Sequence, residues 1–232
     1  EMMIRDNPLP EKQKAVKMLA SFEDQASVAM LGRLVSQYLD ETLPAGLRLD
    51  VWNAAYGLAR DGRQLRQKLS EYRKARSVND PIASWRDSLD GGDVKAGQVV
   101  FETKAELSCV RCHQSASAET QVGPRLDDVG SRLSAEQILR SIVRPNDELA
   151  KGFETIVVAL KDGTTVTGLV QSENSERIEI RTGEGKSIQI PKTEIEERIK
   201  GVSLMPEGLV EKMSAEDLRN LLAYLVSRKK AE

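Results

Sequence analysis

The stretch S-C-V-R-C-H-Q at positions 108–114 holds every cysteine and the single histidine of the chain. Cys109, Cys112 and His113 stand at positions i, i+3 and i+4. On one helical turn these three project to the same side. Two cysteines three positions apart cannot staple a fold, so a structural disulfide framework is excluded.

The pattern C-x-x-C-H reads as an attachment site for one c-type haem. Each thiol can add to a haem vinyl group and form a thioether, and the adjacent imidazole is then delivered to the iron from one face. Two other readings compete. A structural zinc site normally takes four Cys or His ligands, and this chain supplies three. A thioredoxin-like C-x-x-C expects a strand-to-helix setting, whereas helical text surrounds this one.

A haem iron has a sixth position. With no second histidine, bis-histidine ligation within one chain is ruled out, and methionine is the remaining soft ligand. Met/His ligation raises the reduction potential and suits electron transfer. Six methionines compete. Met2, Met3, Met18 and Met30 fall in the N-terminal helical part. Met213 precedes a capping serine and can act as a hydrophobic staple. Met205, in S-L-M-P-E-G, sits in a loop fixed by Pro206 and is the favoured ligand. A methionine that anchors the loop in a core is the alternative.

Outward from this site the text is mostly helical. Residues 1–76 carry four apolar stripes at i, i+3, i+4 spacing. They begin at Ala15, Val16 and Leu19, and continue with Leu31, Leu34, Val35 and Tyr38. Leu47, Val51, Ala54, Ala55 and Leu58 follow, then Leu65, Leu69 and Tyr72. Breaks fall at Pro44–Gly46 and Asp61–Gly62. Paired helices of this length fit either a HEAT-like solenoid of which this is a truncated part or a small four-helix domain. Residues 77–92 read as a linker with one short amphipathic turn. Asp93 can cap a helix with Val94, Gly97, Val100 and Phe101 on one face. Ser134 and Gln137 form a capping-box pattern ahead of Ile138, Leu139 and Ile142, and Pro145 stops that helix.

The period then changes. Thr155–Leu160 is β-branched, Asp162-Gly163 is a hairpin signal, and Thr164–Val170, Arg177–Arg181 and Ser187–Ile190 read as further strands, with a turn at Gly183–Gly185. About four strands are expected, as an insert in helical text. Ser214 and Asp217 cap a final helix with Leu218, Leu221, Leu222 and Leu225 on its apolar face.

Composition sets the outer bounds. The chain has 232 residues, 40% of them apolar, and a formal net charge of -2. No stretch of 18 apolar residues occurs, so no membrane span is expected. The charge balance gives no general sign of nucleic acid or an anionic membrane, and R-K-A-R at 73–76 and the late K-K pair read as solvated faces. Residues 1–10 lack the basic, apolar and small-residue succession of a signal peptide. A mature piece or an engineered fragment of something longer is the expectation.

Taken together, Gly97 to Phe101 (G-x-x-V-F), C-V-R-C-H, V-G-P-R-L (122–126), G-S-R (130–132), S-L-M-P-E-G and L-L-A-Y-L (221–225) resemble the class I cytochrome c fold over residues 91–232. More narrowly, the arrangement is similar to haem-binding domains of planctomycete and verrucomicrobial type. I-V-R-P-N-D-E-L-A-K-G-F-E-T and the β insert share in that likeness. Those domains often follow a HEAT-like segment and a propeller-type dehydrogenase. The resemblance implies a mainly α chain: a helical HEAT-like segment over 1–79, then a cytochrome c domain over 80–152 and 201–232. A small antiparallel insert over 153–200 interrupts that domain and loosely resembles an SH3- or Sm-like barrel.

The resemblance also implies roles. Cys109 and Cys112 match the haem-linking cysteines, and His113 the proximal iron ligand. Pro124 matches the residue whose carbonyl orients that histidine. Arg132 matches a residue that contacts a haem propionate, with a plain surface arginine as the alternative. Met205 matches the distal ligand. Gly97, Phe101 and Tyr224 match a close helix crossing. One departure stands out: the insert separates His113 and Met205 by 92 positions. It carries few aromatics and mixed charge, so RNA binding of the Sm kind gains no support. Covering the haem edge or docking a partner is the expected role.

Three functions follow as expectations. The first is an electron carrier, not itself an enzyme, that passes single electrons between a donor and an acceptor protein. A dehydrogenase domain of a parent chain is the donor implied by resemblance. The second is a haem enzyme or a gas or redox sensor with an open or labile sixth position. The third is a docking protein whose haem is structural. Haem attachment implies maturation outside the cytoplasm, hence a periplasmic or other extracytoplasmic setting.

Overall fold

A computed structural model of the chain describes residues 7–22, 24–57, 63–78, 80–113 and 122–230. Leu58, the Asp61–Gly62 break, the Leu65 side chain, Met2 and Met3 lie outside the described residues. The fold is mainly helical with one small antiparallel sheet. It divides into two compact units, one of Glu1–Val100 with Met213–Ser227 and one of Phe101–Lys212 with Arg228–Glu232.

The first unit contains α1 (Leu9–Leu19), α2 (Gln25–Leu39), α3 (Arg48–Gly57) and α4 (Arg63–Ser77). Asp24 starts α2 by accepting the backbone N–H groups of Ala26 and Ser27, which the helix itself cannot satisfy. Pro44 interrupts the helical run ahead of a 3-10 turn at Ala45–Leu47. The expected stripes meet in one core of Val16, Leu31, Leu34, Val35, Tyr38, Leu47, Val51, Ala54, Ala55 and Leu69, with Leu19 and Tyr72 packed against it. Each large aliphatic side chain buried there contributes roughly 1.5–3 kcal/mol.

The segment expected as a linker is part of this unit's interior. Ile82 is fully buried and a 3-10 helix runs from Ala83 to Ser88. Asp87 is the reason. Its buried carboxylate accepts from Tyr38 Oη at 2.5 Å, Arg48 Nε at 3.2 Å and Arg73 at 3.0 Å. A charge out of water is tolerated only when paired and hydrogen-bonded in this way. The arginines also lie over aromatic rings, Arg48 over Tyr38 at 4.3 Å and Arg73 over Trp52 at 3.3 Å.

Two further helices complete the unit. Asp93 caps α5 (Val94–Thr103) by accepting from Ala96 N–H. Gly97 and Val100 are buried, but Val94 faces solvent, contrary to its expected place on the apolar face. A first-turn residue is not carried inward by the crossing that starts at Gly97. Ser214 and Asp217 form reciprocal cap bonds ahead of the C-terminal helix, Ala215–Ser227. Leu218, Leu221, Leu222 and Leu225 are buried on it as expected. Arg219 on the same helix is buried and donates to Asp50 of α3 at 2.6 Å.

The second unit holds three short helices, Cys109–His113, Val129–Arg132 and Ala135–Val143. These are α6, α7 and α8, and the C-terminal helix Ala215–Ser227 is α9. The Ser134–Gln137 capping box is formed in both directions, and Ile138, Leu139 and Ile142 are buried. The sheet has five strands, not four: β1 (Thr155–Leu160), β2 (Thr165–Glu173), β3 (Arg177–Arg181), β4 (Ser187–Pro191) and β5 (Ile195–Lys200). Their order is β4-β3-β2-β1-β5, all neighbours antiparallel. Val158, Val166, Ile178, Ile180 and Ile190 form its core. β5 (I-E-E-R-I-K) escapes a sequence reading because five of its six residues are exposed. Pairing with β1 makes it a strand, with no apolar alternation to announce it.

Candidate functional site

The chain enters the cysteine turn through a kink. Ser108 adopts a φ of +50°, a left-handed conformation that costs a non-glycine residue roughly 1–2 kcal/mol. Its hydroxyl donates to Ala105 O at 2.7 Å, and its carbonyl accepts from Arg111 N–H at 3.1 Å, opening the single turn of α6. Strain of this kind is a common mark of functional segments. Nothing in the residue type announces it.

Cys109 and Cys112 are free, half-buried thiols one turn apart. Burial pushes the Cys109 thiol above its ordinary range. That is the opposite of the lowered pKa that makes a C-x-x-C pair a redox catalyst.

His113 is held from one side by the backbone of residues 123–124. Its Nδ1 lies 2.8 Å from Pro124 O. A carbonyl can only accept, so Nδ1 carries the proton and Nε2 keeps its lone pair. Burial holds His113 below the ordinary imidazole range, opposed by the bond to Pro124. Gly123 completes the clamp. Its N–H donates to Cys112 O at 3.0 Å. A Cβ at Gly123 would lie 3.0 Å from His113 Cε1 and 3.1 Å from Nδ1. The sequence signal for Gly123 is the glycine before proline in V-G-P-R-L, which does not by itself mark a contact with His113.

Arg132 is exposed. It pairs with Asp128 at 2.8 Å and donates to Arg125 O at 2.5 Å, which ties it to the backbone next to Pro124. Met205 is half-buried in the loop after β5, with its N–H donating to Ser203 Oγ at 3.1 Å. The β3–β4 turn lies near both sides of this arrangement. A Cβ on Gly183 would meet Leu204 at 3.8 Å, and one on Gly185 would meet Val122 at 3.8 Å. The field of Arg111 also helps hold Glu184 below the usual carboxylate range, after its bond with Thr182. Cys109, Cys112, His113 and Pro124 therefore form one cluster, with Leu204 and Val122 near the same turn.

Gly97 and Tyr224 do take part in a close crossing of α5 and α9, where a Cβ on Gly97 would come within 2.8 Å of Tyr224 Cβ. Phe101 is half-buried. Among the described residues, no group of three or more His, Cys, Asp or Glu side chains is arranged to hold a metal ion. No helix among them is long and apolar enough to cross a membrane. No protein family matches this chain, and no curated protein matches it.

Proposed function

We propose that this chain is a c-type cytochrome module that passes single electrons through one covalently bound, His/Met-ligated haem. One observation carries the reading: the bond from His113 Nδ1 to Pro124 O leaves Nε2 free on a turn that also presents two unpaired thiols. A backbone acceptor on the far nitrogen orients a metal-binding imidazole and raises its basicity. Cys109 and Cys112 would hold the haem by thioether bonds, His113 would be the proximal ligand and Met205 the distal one. Arg132 would exchange its exposed bond with Asp128 for a propionate. When bound, the haem supplies a reversible one-electron change at iron.

The chain's own residues do the rest. The clamp at Gly123 and Pro124 fixes the ring and its tautomer. The same reading takes α1–α4 as a HEAT-like segment, the flanking helices as a class I cytochrome c fold, and the sheet as an SH3- or Sm-like small barrel. The return of β5 to β1 is in keeping with that last point. The electron donor and acceptor are proteins, with a dehydrogenase as the donor, in an extracytoplasmic compartment.

The test is the visible spectrum of the ferrous protein, matured with haem, before and after carbon monoxide. A six-coordinate low-spin spectrum indifferent to the gas is expected, and Met205→Ala should open the iron to it. Ready binding by the native protein would move a sensor or haem enzyme ahead.

A further inference from the structure

The loop that carries Met205 is held at four points by two residues, Asn146 and Thr155, of the stretch I-V-R-P-N-D-E-L-A-K-G-F-E-T. Thr155, the first residue of β1, is 1% exposed. Its hydroxyl donates to Val202 O at 2.5 Å, and its carbonyl accepts from Gly201 N–H at 2.9 Å. A Cβ on Gly201 would overlap Thr155 Oγ1, so the absence of a side chain there permits the close approach. β1 is paired on both sides, by β2 and β5, and Thr155 itself stands opposite Leu169 of β2. Asn146 follows Pro145 at the end of α8. Its Oδ1 accepts from Ser203 N–H at 2.8 Å, and its Nδ2 donates to Glu207 Oε1 at 2.7 Å. Those two bonds bracket Met205.

We infer that Thr155 and Asn146 are positioning residues for Met205, and that the sheet serves the iron site by anchoring the loop that presents this ligand. The inference rests on the proposed function, in which Met205 is the distal ligand. The physical argument is one of entropy. A thioether on a free loop samples many positions, and each bond that fixes the loop raises the share in which sulfur stands at the iron. The insert lengthens the path from His113 to Met205, and the Thr155 clamp joins the end of the insert to its start. The extra residues therefore add no slack to the ligand.

The experiment uses the full chain with covalently attached haem and has two readouts: carbon monoxide affinity of the ferrous protein, and hydrogen exchange of the Ser203 and Met205 amides. Asn146→Ala and Thr155→Val should each raise carbon monoxide affinity about tenfold, the scale of one or two lost hydrogen bonds. Amide exchange in the loop should accelerate in parallel. Thr155→Ser keeps the hydroxyl and should behave as the native chain. Asn146→Asp places a carboxylate against Glu207 and should loosen the loop. Adding Glu207→Gln restores both bonds and should reverse the effect. In a Met205→Ala background, Asn146→Ala should change carbon monoxide affinity no further.

If Met205→Ala opens the iron while Asn146→Ala and Thr155→Val leave both readouts native, the positioning roles are overturned and the proposed function stands. If Met205→Ala itself changes nothing, the ligand assignment fails and the inference falls with it.

Discussion

Replacing Gly97 by alanine should destabilise the first unit although alanine is the better helix former. The site is the crossing of α5 and α9. A Cβ at Gly97 would lie 2.5 Å from the carbonyl carbon of Asn220 and 2.8 Å from Tyr224 Cβ, and would overlap the Asn220 carbonyl oxygen. These are mostly backbone atoms, which cannot swing aside as a side-chain end can, so the helices must separate. Overpacking of this sort costs about 1–3 kcal/mol. Separation also loosens buried Leu221, Leu222 and Tyr224. The opposing gain is about 1 kcal/mol of helix propensity. A net loss of about 1 kcal/mol is expected. Gly32, inside α2, is the control, since nothing lies within 4 Å of a Cβ there. Gly32→Ala should stabilise by up to about 1 kcal/mol. Urea unfolding of the two variants beside the native chain measures both. Equal stabilisation by both substitutions would refute the close crossing.

Three other outcomes are expected. Asp87→Ala strips a carboxylate from two arginines and a buried phenol. It should cost about 3–5 kcal/mol, whereas Lys17→Ala, at an exposed pair with Glu216, should cost under about 1 kcal/mol by the same denaturation assay. The Tyr38 hydroxyl is pushed up to about 12, by burial first and then by the Asp87 carboxylate. Its folded pKa exceeds the ordinary 10, so its contribution is fully present below pH 10 and is lost as pH rises toward 12. The stability gap between native and Tyr38→Phe should shrink over that window by on the order of 2 kcal/mol, and a gap independent of pH would contradict it. Gly123→Ala should crowd His113 and weaken its bond to Pro124. The Nδ1 proton should then exchange with water about tenfold faster by NMR, and an unchanged rate would show that the clamp tolerates a methyl.

The sequence by itself determined the elements that local periodicity and capping dictate. The stripes at Leu31, Leu34, Val35 and Tyr38, the Ser134–Gln137 box, the Asp162-Gly163 turn and the α6 turn with its three chemistry-bearing side chains are all contained in runs of a few residues. The tertiary structure decided whatever joins distant segments. Asp87 reads as a linker residue until Tyr38, Arg48 and Arg73 surround it. β5 is a strand because β1 lies beside it. Val94 is apolar and exposed because the helix crossing begins three residues later. At the candidate site, Cys109, Cys112 and His113 were legible as a unit, whereas Gly123, Asn146 and Thr155 stand in recognisable stretches whose contacts were not legible. The physical reason is that a helix or hairpin is stabilised by neighbours in sequence, which leave a periodic trace. The bonds from Pro124 to His113 and from Thr155 and Asn146 to the Met205 loop link groups brought together only by folding, and residue types alone carry no record of them.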